Sequence, residues 1–255
     1  MAKRIAIIDV ETNQKKEVFD IGLVIGDNDG NILHSQEWIL QRELLGKPWY
    51  PRKVALYFDK IANPDYPCEL VNAPNALEDI DNLLTHYDIR EVYAYNAGFD
   101  ATQMMNIAEK YNIRNPIDGK QIECLWAWAC QTIFQQKTFK KFAKMHDFRT
   151  DKGNYKTNAE VAYAYITKNP DFVEEHTGLE DAYIEYRIYL HCLRQKKYRL
   201  RGIIRNPWIL AQENERIRQL PKQFQTLEVA ELEQFTRSRE LIQKLGKELA
   251  IKVAR

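Results

Sequence analysis

Four consecutive apolar residues, Ile5-Ala6-Ile7-Ile8, run directly into Asp9-Val10-Glu11. An unbroken apolar run of this kind belongs to a central strand covered on both faces, since a half-exposed strand alternates polar with apolar residues. Side chains two apart along a strand point the same way, so Asp9 and Glu11 converge at the carboxyl end of a buried strand. Taken alone, an Asp-x-Glu is common and marks a solvated strand end. It gains meaning only from what the rest of the chain brings to it.

A second apolar run, Ile21 to Ile25, is followed by Asn28-Asp29-Gly30 and then by Ile32 to Leu40. An Asp-Gly between two apolar runs is a hairpin signal, so the first three strands are predicted to form an antiparallel meander. Residues 41–76 hold five prolines and no clear period, which predicts a long excursion with a short helix around Val54 to Ile61. Beyond it the pattern becomes helix (Leu77 to Tyr87), strand (Glu91 to Tyr95) and helix (Ala101 to Tyr111). This alternation predicts a layered α/β domain. A further strand is expected at Ile122 to Leu125, one long helix from Trp126 to Met145, a loop from Asp147 to Asn158, and helices at Ala159 to Ile166 and from Gly178 to about Lys196.

Length and composition bound the class. A chain of 255 residues is long enough to bury a core without disulfides or structural metal. Cys68, Cys124, Cys130 and Cys192 show neither CxxC pairing nor zinc-like spacing to a histidine, the pattern of buried thiols in a reducing compartment. No apolar run approaches the roughly 20 residues of a membrane helix, and Ile5 to Ile8 is too short for a signal-peptide core, so a cytoplasmic protein is expected. The net charge of +1 conceals a division. Residues 1–193 carry 22 Lys and Arg against 29 Asp and Glu, whereas residues 194–255 carry 15 against 7.

Two more sites carry chemistry. Asn96-Ala97-Gly98-Phe99-Asp100 sits at the junction of a short strand and a helix, where Asp100 with Gln103 reads as a capping pair. Carboxyl ends of strands are also where open α/β sheets bind ligands. In His176-Thr177-Gly178-Leu179-Glu180-Asp181, Thr177 and Glu180 have the spacing of a capping box. That would set His176 and Asp181 at the two positions of a hydrophobic staple, here occupied by an imidazole and a carboxylate, which are costly to bury without a partner. Four carboxylates and one imidazole, with no thiolate, suit Mg²⁺ or Mn²⁺ better than Zn²⁺. Two such ions about 3.5–4 Å apart are a recurring device for handling a phosphodiester.

In this order and on these elements, Asp9-x-Glu11, Asn96-x-x-x-Asp100 and His176-x4-Asp181 resemble the three motifs of the DEDDh 3′-to-5′ exonucleases. That superfamily includes the proofreading subunit of bacterial DNA polymerase III, ribonuclease T and oligoribonuclease, and the resemblance spans about residues 3–195. The resemblance implies a ribonuclease H-like mixed sheet. It further implies two metal ions held by Asp9, Glu11 and Asp181, with Asp100 acting through water, and His176 as general base, a role suited to an ordinary pKa near 6.5. Thr12 would lie against the terminal sugar, with Asn96 and Phe99 near the substrate. The sister group with tyrosine in place of the histidine would need Tyr at position 177, where this chain has Thr177. Tyr95 and Glu123 depart from the residues many relatives carry, a histidine and an aspartate.

A division into an exonuclease domain, 1–195, and a basic, helical extension, 196–255, follows. Arg194, Lys196, Lys197, Arg199, Arg201 and Arg205 fall within twelve residues containing no acidic residue, interleaved with Tyr198. This reads either as a phosphate-contacting strip or as solvated cations completing the dipole of the preceding helix. The amphipathic stretch Leu227 to Val253 reads as a packing or self-association element, or as a polymerase contact. The expected activity is release of nucleoside 5′-monophosphates from 3′ ends of single-stranded nucleic acid, DNA first. An RNA-trimming or short-oligonucleotide nuclease is the alternative, and a nuclease-inactive nucleic-acid-binding or polymerase accessory protein is the rival of another class.

Overall fold

The computed structural model describes residues 2–45, 51–195 and 201–212. The stretch expected to form the terminal helix lies outside them, as do Lys196, Lys197, Tyr198 and Arg199. The order of elements is β1 (Arg4–Thr12), β2 (Val18–Asp27), β3 (Ile32–Leu40), α1 (Gln41–Leu44), α2 (Pro51–Ala62), β4 (Cys68–Val71), α3 (Ala73–His86), β5 (Glu91–Ala94), α4 (Ala97–Tyr111), β6 (Gln121–Cys124), α5 (Leu125–Gln131), α6 (Lys137–Met145), α7 (Ala159–Thr167) and α8 (Gly178–Arg194). One six-stranded sheet runs in the order β4-β3-β2-β1-β5-β6. The meander β1-β2-β3 is antiparallel, while β4, β5 and β6 add parallel to their neighbours.

The expected meander forms, and its turn chemistry is visible. Asp27 Oδ1 accepts the backbone N–H groups of Asp29 (2.9 Å) and Asn31 (3.0 Å), and Gly30 takes a positive φ of 99°. Alternation along β1 then divides the core. Ala6, Ile8 and Val10 join the layer formed with α3 and α4, whereas Ile5 and Ile7 join the layer formed with α5, α6, α7 and α8. Asp9 and Glu11 continue the second set, so both carboxylates point to the α8 side at the end of the strand.

Two expectations differ from the structure. The strand β4 was not legible, because four residues pairing only at the sheet edge carry little pattern. The single helix expected from Trp126 to Met145 is instead α5, a 3-10 turn at Ile133–Gln135, and α6. Its break is at buried Thr132, whose hydroxyl donates back to the Trp128 carbonyl at 2.7 Å and approaches Cys192 Sγ at 3.3 Å. Back-bonding of this type competes with the helix ladder. Among the described residues no helix is long and apolar enough to cross a membrane, and none of the four cysteines is in a disulfide.

Residues 201–212, which the sequence suggested would belong to a linker, pack onto the same domain. Ile204 and Ala211 are buried, Ile204 against Ala94, Ala97, Cys124 and Ala127, and the 3-10 turn Pro207–Ala211 lies on α5.

Candidate active site

The approach of α8 to the sheet brings the site together. On β2, Gly22 and Gly26 face this helix, and Gly22 lies opposite Asp9 in the β1-β2 register. A Cβ added at Gly22 would fall 2.0 Å from the backbone carbon of Gly178, and one at Gly26 would enter the Tyr186 ring at 2.4 Å. The absence of side chains at these two positions lets the first turn of α8 lie directly on the strand, which carries Asp181 toward Asp9.

The start of α8 is capped differently from the sequence reading. Thr177 is at the cap position with extended backbone, but its hydroxyl makes no capping bond. Instead Asp20 Oδ2 accepts the Gly178 N–H at 2.8 Å, and Glu37 Oε1 accepts the Leu179 N–H at 3.3 Å. The Thr177 hydroxyl is engaged by Lys60 Nζ at 2.6 Å, and it donates to Glu180 Oε2 at 3.3 Å. Tyr57 donates to Asp20 at 2.7 Å and closes this buried network. Carboxyl oxygens from β2 and β3 thus take the N–H groups at the positive end of the helix in place of the local hydroxyl.

Asp100 is likewise not a cap. Asn96 precedes α4, and Asp100 stands in its first turn, buried, with Oδ1 accepting the Val10 N–H at 3.3 Å. The side chain thereby reaches across the end of β1 between Asp9 and Glu11. Pairing slips between Glu11 and Thr12, an irregularity that re-aims side chains at a strand end. His176 has a positive φ of 56° just before the helix, and its side chain is 54% exposed. Its Nδ1 lies 3.9 Å from Asp181 Oδ2 and 3.7 Å from Glu174 Oε2. One ligand atom from each of Glu11, His176 and Asp181 falls within 4.8 Å of the other two.

A fifth carboxylate was missed from the sequence. Glu185, one turn after Asp181 on α8, is buried, and its Oε2 has no hydrogen-bond partner among the described residues. Its signal was a glutamate on the helix stripe that otherwise holds Leu179, Ala182, Tyr186 and Tyr189. Burial pushes the Asp9 carboxyl well above the usual range, and the charges of Glu185, Asp100, Asp181 and Glu11 push it further. Glu185 is raised strongly by burial and by Asp100 and Asp181, and burial together with Glu11 lifts Asp100 to about 7. Glu174, beside His176, is pushed up to about 7 by burial, Glu160 and Glu11.

Carboxylates that raise one another in this way call for a cation. Clustered oxygen donors with one imidazole at the rim fit a hard divalent ion such as Mg²⁺ or Mn²⁺. Glu11 and Asp181 could hold it together with His176, and Asp9 and Asp100 add their charge beside them.

Other sequence candidates are distributed as follows. Thr12 ends β1 beside Glu11, and Asn96 and Phe99 are exposed at the start of α4, Phe99 by 40%. Arg194 is at the far end of α8, about 20 Å along the axis from Asp181. Arg201 is turned away from the site, contrary to its expected place in a phosphate-contacting strip. It binds Glu91 at 2.7 Å and Glu123 at 2.9 Å, and since Ile7 lies opposite Tyr93, Glu91 is at the other end of β5 from Asp9. The departures at Tyr95 and Glu123 serve packing: Tyr95 donates to the Thr157 carbonyl at 2.6 Å, and Glu123 accepts the Gly202 N–H at 2.9 Å.

This architecture is the ribonuclease H-like α/β fold of DEDDh 3′ exonuclease nuclease domains. Among solved structures, the nuclease domain of 3′hExo, described as a DEDDh family member bound to rAMP, matches at a TM-score of 0.51 with 12% identity, over 79% of this chain and 96% of that one. A 3′-exonuclease described in 3′-end specific recognition of histone mRNA stem-loop matches at a TM-score of 0.53 with 14% identity, over 81% of this chain and 69% of that one. At these identities the likeness establishes the fold. No protein-family model and no curated protein matches the sequence.

Proposed function

We propose that the protein is a divalent-metal-dependent 3′-to-5′ exonuclease that releases nucleoside 5′-monophosphates from single-stranded nucleic acid. One observation carries the reading: Asp9, Glu11, Asp100 and Asp181 converge on one sheet end of this fold, with His176 at the open rim. When bound, two divalent ions would acidify the attacking water and offset charge on the scissile phosphate. Asp9, Glu11 and Asp181 would hold them directly, and Asp100 through water. His176, with Nδ1 3.9 Å from Asp181 and 3.7 Å from Glu174, would take the proton of the attacking water as the P–O bond to the leaving 3′ oxygen breaks. Thr12, Asn96 and Phe99 flank the position of the terminal nucleotide.

DNA is the first substrate expected. The neighbours' descriptions, bound rAMP in one and an mRNA stem-loop in the other, make RNA the second reading. Four cysteines with no disulfide among them are consistent with a cytoplasmic location. Incubating the purified protein with matched 5′-labelled DNA and RNA strands and Mg²⁺ or Mn²⁺ should give a ladder of shortened products, lost in Asp9→Ala. Persistence of that ladder in EDTA overturns the proposal, and tight binding with no product under any metal favours an accessory protein with a vestigial site.

A further inference from the structure

Beside the acidic site lies a cleft of about 760 Å³ lined by Tyr95, Asn96, Trp126, Lys152, Lys156 and Trp208, among others. Its volume falls within the range of about 300–1,000 Å³ typical of sites that enclose small organic groups. Two lining residues link it to the carboxylate cluster: Asn96 precedes α4, four residues before Asp100, and the Tyr95 backbone N–H donates to Glu185.

Each wall is held in place by specific contacts. The Trp126 ring lies parallel to Tyr95 (6.4 Å, 18°), and its indole N–H donates to Thr157 Oγ1 at 2.8 Å. The loop from Asp147 to Asn158 is a small hairpin bridged at Arg149 and Tyr155, which holds exposed Lys152 at its turn and Lys156 just beyond it. Trp208 arrives on the 201–212 segment. That segment is anchored at one end by Arg201 on Glu91 and Glu123, and at the other by Gln212 Oε1, which accepts the Tyr155 N–H at 3.0 Å. Between these anchors it passes the first turn of α4, where Ile203 would lie 3.2 Å from a Cβ at Gly98.

We infer that this cleft is a subsite for the single strand upstream of its 3′ end, with bases stacking on the partly exposed indoles of Trp208 and Trp126 and phosphates meeting Lys152 and Lys156. The inference rests on the exonuclease reading for the polarity of the strand. The occupant follows from the chemistry. Two indoles serve any base, since every base has a π-face, and two lysines against the single acid Asp151 favour a polyanion. Duplex bases are already stacked on each other and offer no faces to indoles. The segment read in sequence as a basic linker thus contributes an aromatic wall rather than a strip of cations, its Arg201 serving as the anchor.

The test is equilibrium binding of a 5′-fluorescein-labelled 12-mer, as DNA and as RNA, to the full-length protein in EDTA, so that binding is read without turnover. Trp208→Ala should weaken binding at least fivefold with an unchanged salt slope, while Trp208→Phe keeps most of the affinity and shows that the wall still folds. Lys152→Ala and Lys156→Ala should each lower the slope of log K against log salt by about 0.7. A blunt duplex of the same length should bind more weakly than the single strand. Unchanged affinity in Trp208→Ala with unchanged slopes in both lysine variants overturns the assignment, as does preference for the duplex. Failure to release mononucleotides would sink the exonuclease reading alone, because the binding measurement does not depend on it.

Discussion

Two groups of buried carboxylates, one on β5 and β6 and one toward the other end of the sheet where β1, α4 and α8 meet, are treated by the chain in opposite ways. On β5 and β6, Glu91 and Glu123 are met by cations of the chain itself: Lys3 at 2.6 Å and Arg201 at 2.7 Å on Glu91, and Arg201 at 2.9 Å on Glu123. Burial pushes Glu91 up, but bonds from Lys3 and Tyr93 and the charges of Lys3 and Arg201 bring it down to about 2. At the other end, the neighbouring charges acting on Asp9 and Glu185 are those of other carboxylates, and both are driven upward. The first group is finished by folding. In the proposed enzyme the second would be completed by ions from solution, and this difference would separate a structural acidic cluster from a reactive one.

Substitutions at the two clusters should therefore have opposite signs. The largest effect is expected for Asp9→Asn, which should abolish strand trimming while raising the Tm of the metal-free protein by a few degrees, because it relieves repulsion. A lowered metal-free Tm would break the contrast. His176→Ala should cost about 10²- to 10⁴-fold in kcat, the usual worth of a general base, with little change in Tm. Gly22→Ala, whose Cβ would meet the Gly178 backbone, should displace the start of α8 and cost on the order of 10²-fold in activity. Activity within a few-fold of wild type would show that the close approach is not needed.

The pH dependence sharpens the same contrast. Asp100 and Glu174 at about 7, and Glu37 at about 8, lie above ordinary carboxylate values. A carboxyl raised in the folded state contributes stability that is fully present below its unfolded pKa, about 4, and is lost as pH rises through the folded value. The metal-free protein should thus lose several degrees of Tm between about pH 5 and pH 8, at about 2–4 °C per kcal/mol, and Mn²⁺ should restore most of it at pH 8. A flat metal-free profile would remove the physical case for the ions. The smallest effect belongs to the neutralised cluster: Glu123→Gln should destabilise by about 1–3 kcal/mol through its bonds to Arg201 and Gly202, leaving the midpoint of a Mn²⁺ titration unchanged.

Much of this was legible because it is local. The apolar run before Asp9, the Asp-Gly turn and the spacing from His176 to Asp181 depend on neighbours within a few residues, and the meander and α8 appear where those signals put them. Thr177 and Glu180 illustrate the limit. Their spacing is that of a capping box, yet Asp20 and Glu37, more than 100 residues away in sequence, take the helix N–H groups. Glu185 was hidden for a related reason, since a glutamate on a helix reads as solvated until the strand packed against it is known. Arg201 looked like one cation in a basic run, and only Glu91 and Glu123 reveal its use.

By itself, then, the sequence determined most of the order of elements and four carboxylates and the histidine of the site, because periodicity and turn chemistry act over short distances. The tertiary structure decided which charges meet. It set α8 on Gly22 and Gly26, gathered a fifth carboxylate with the other four, gave one acidic group its counter-ions and set the other among like charges, and folded the 201–212 segment back as the wall of a cleft. Those are long-range facts, fixed by which surfaces the core brings into contact.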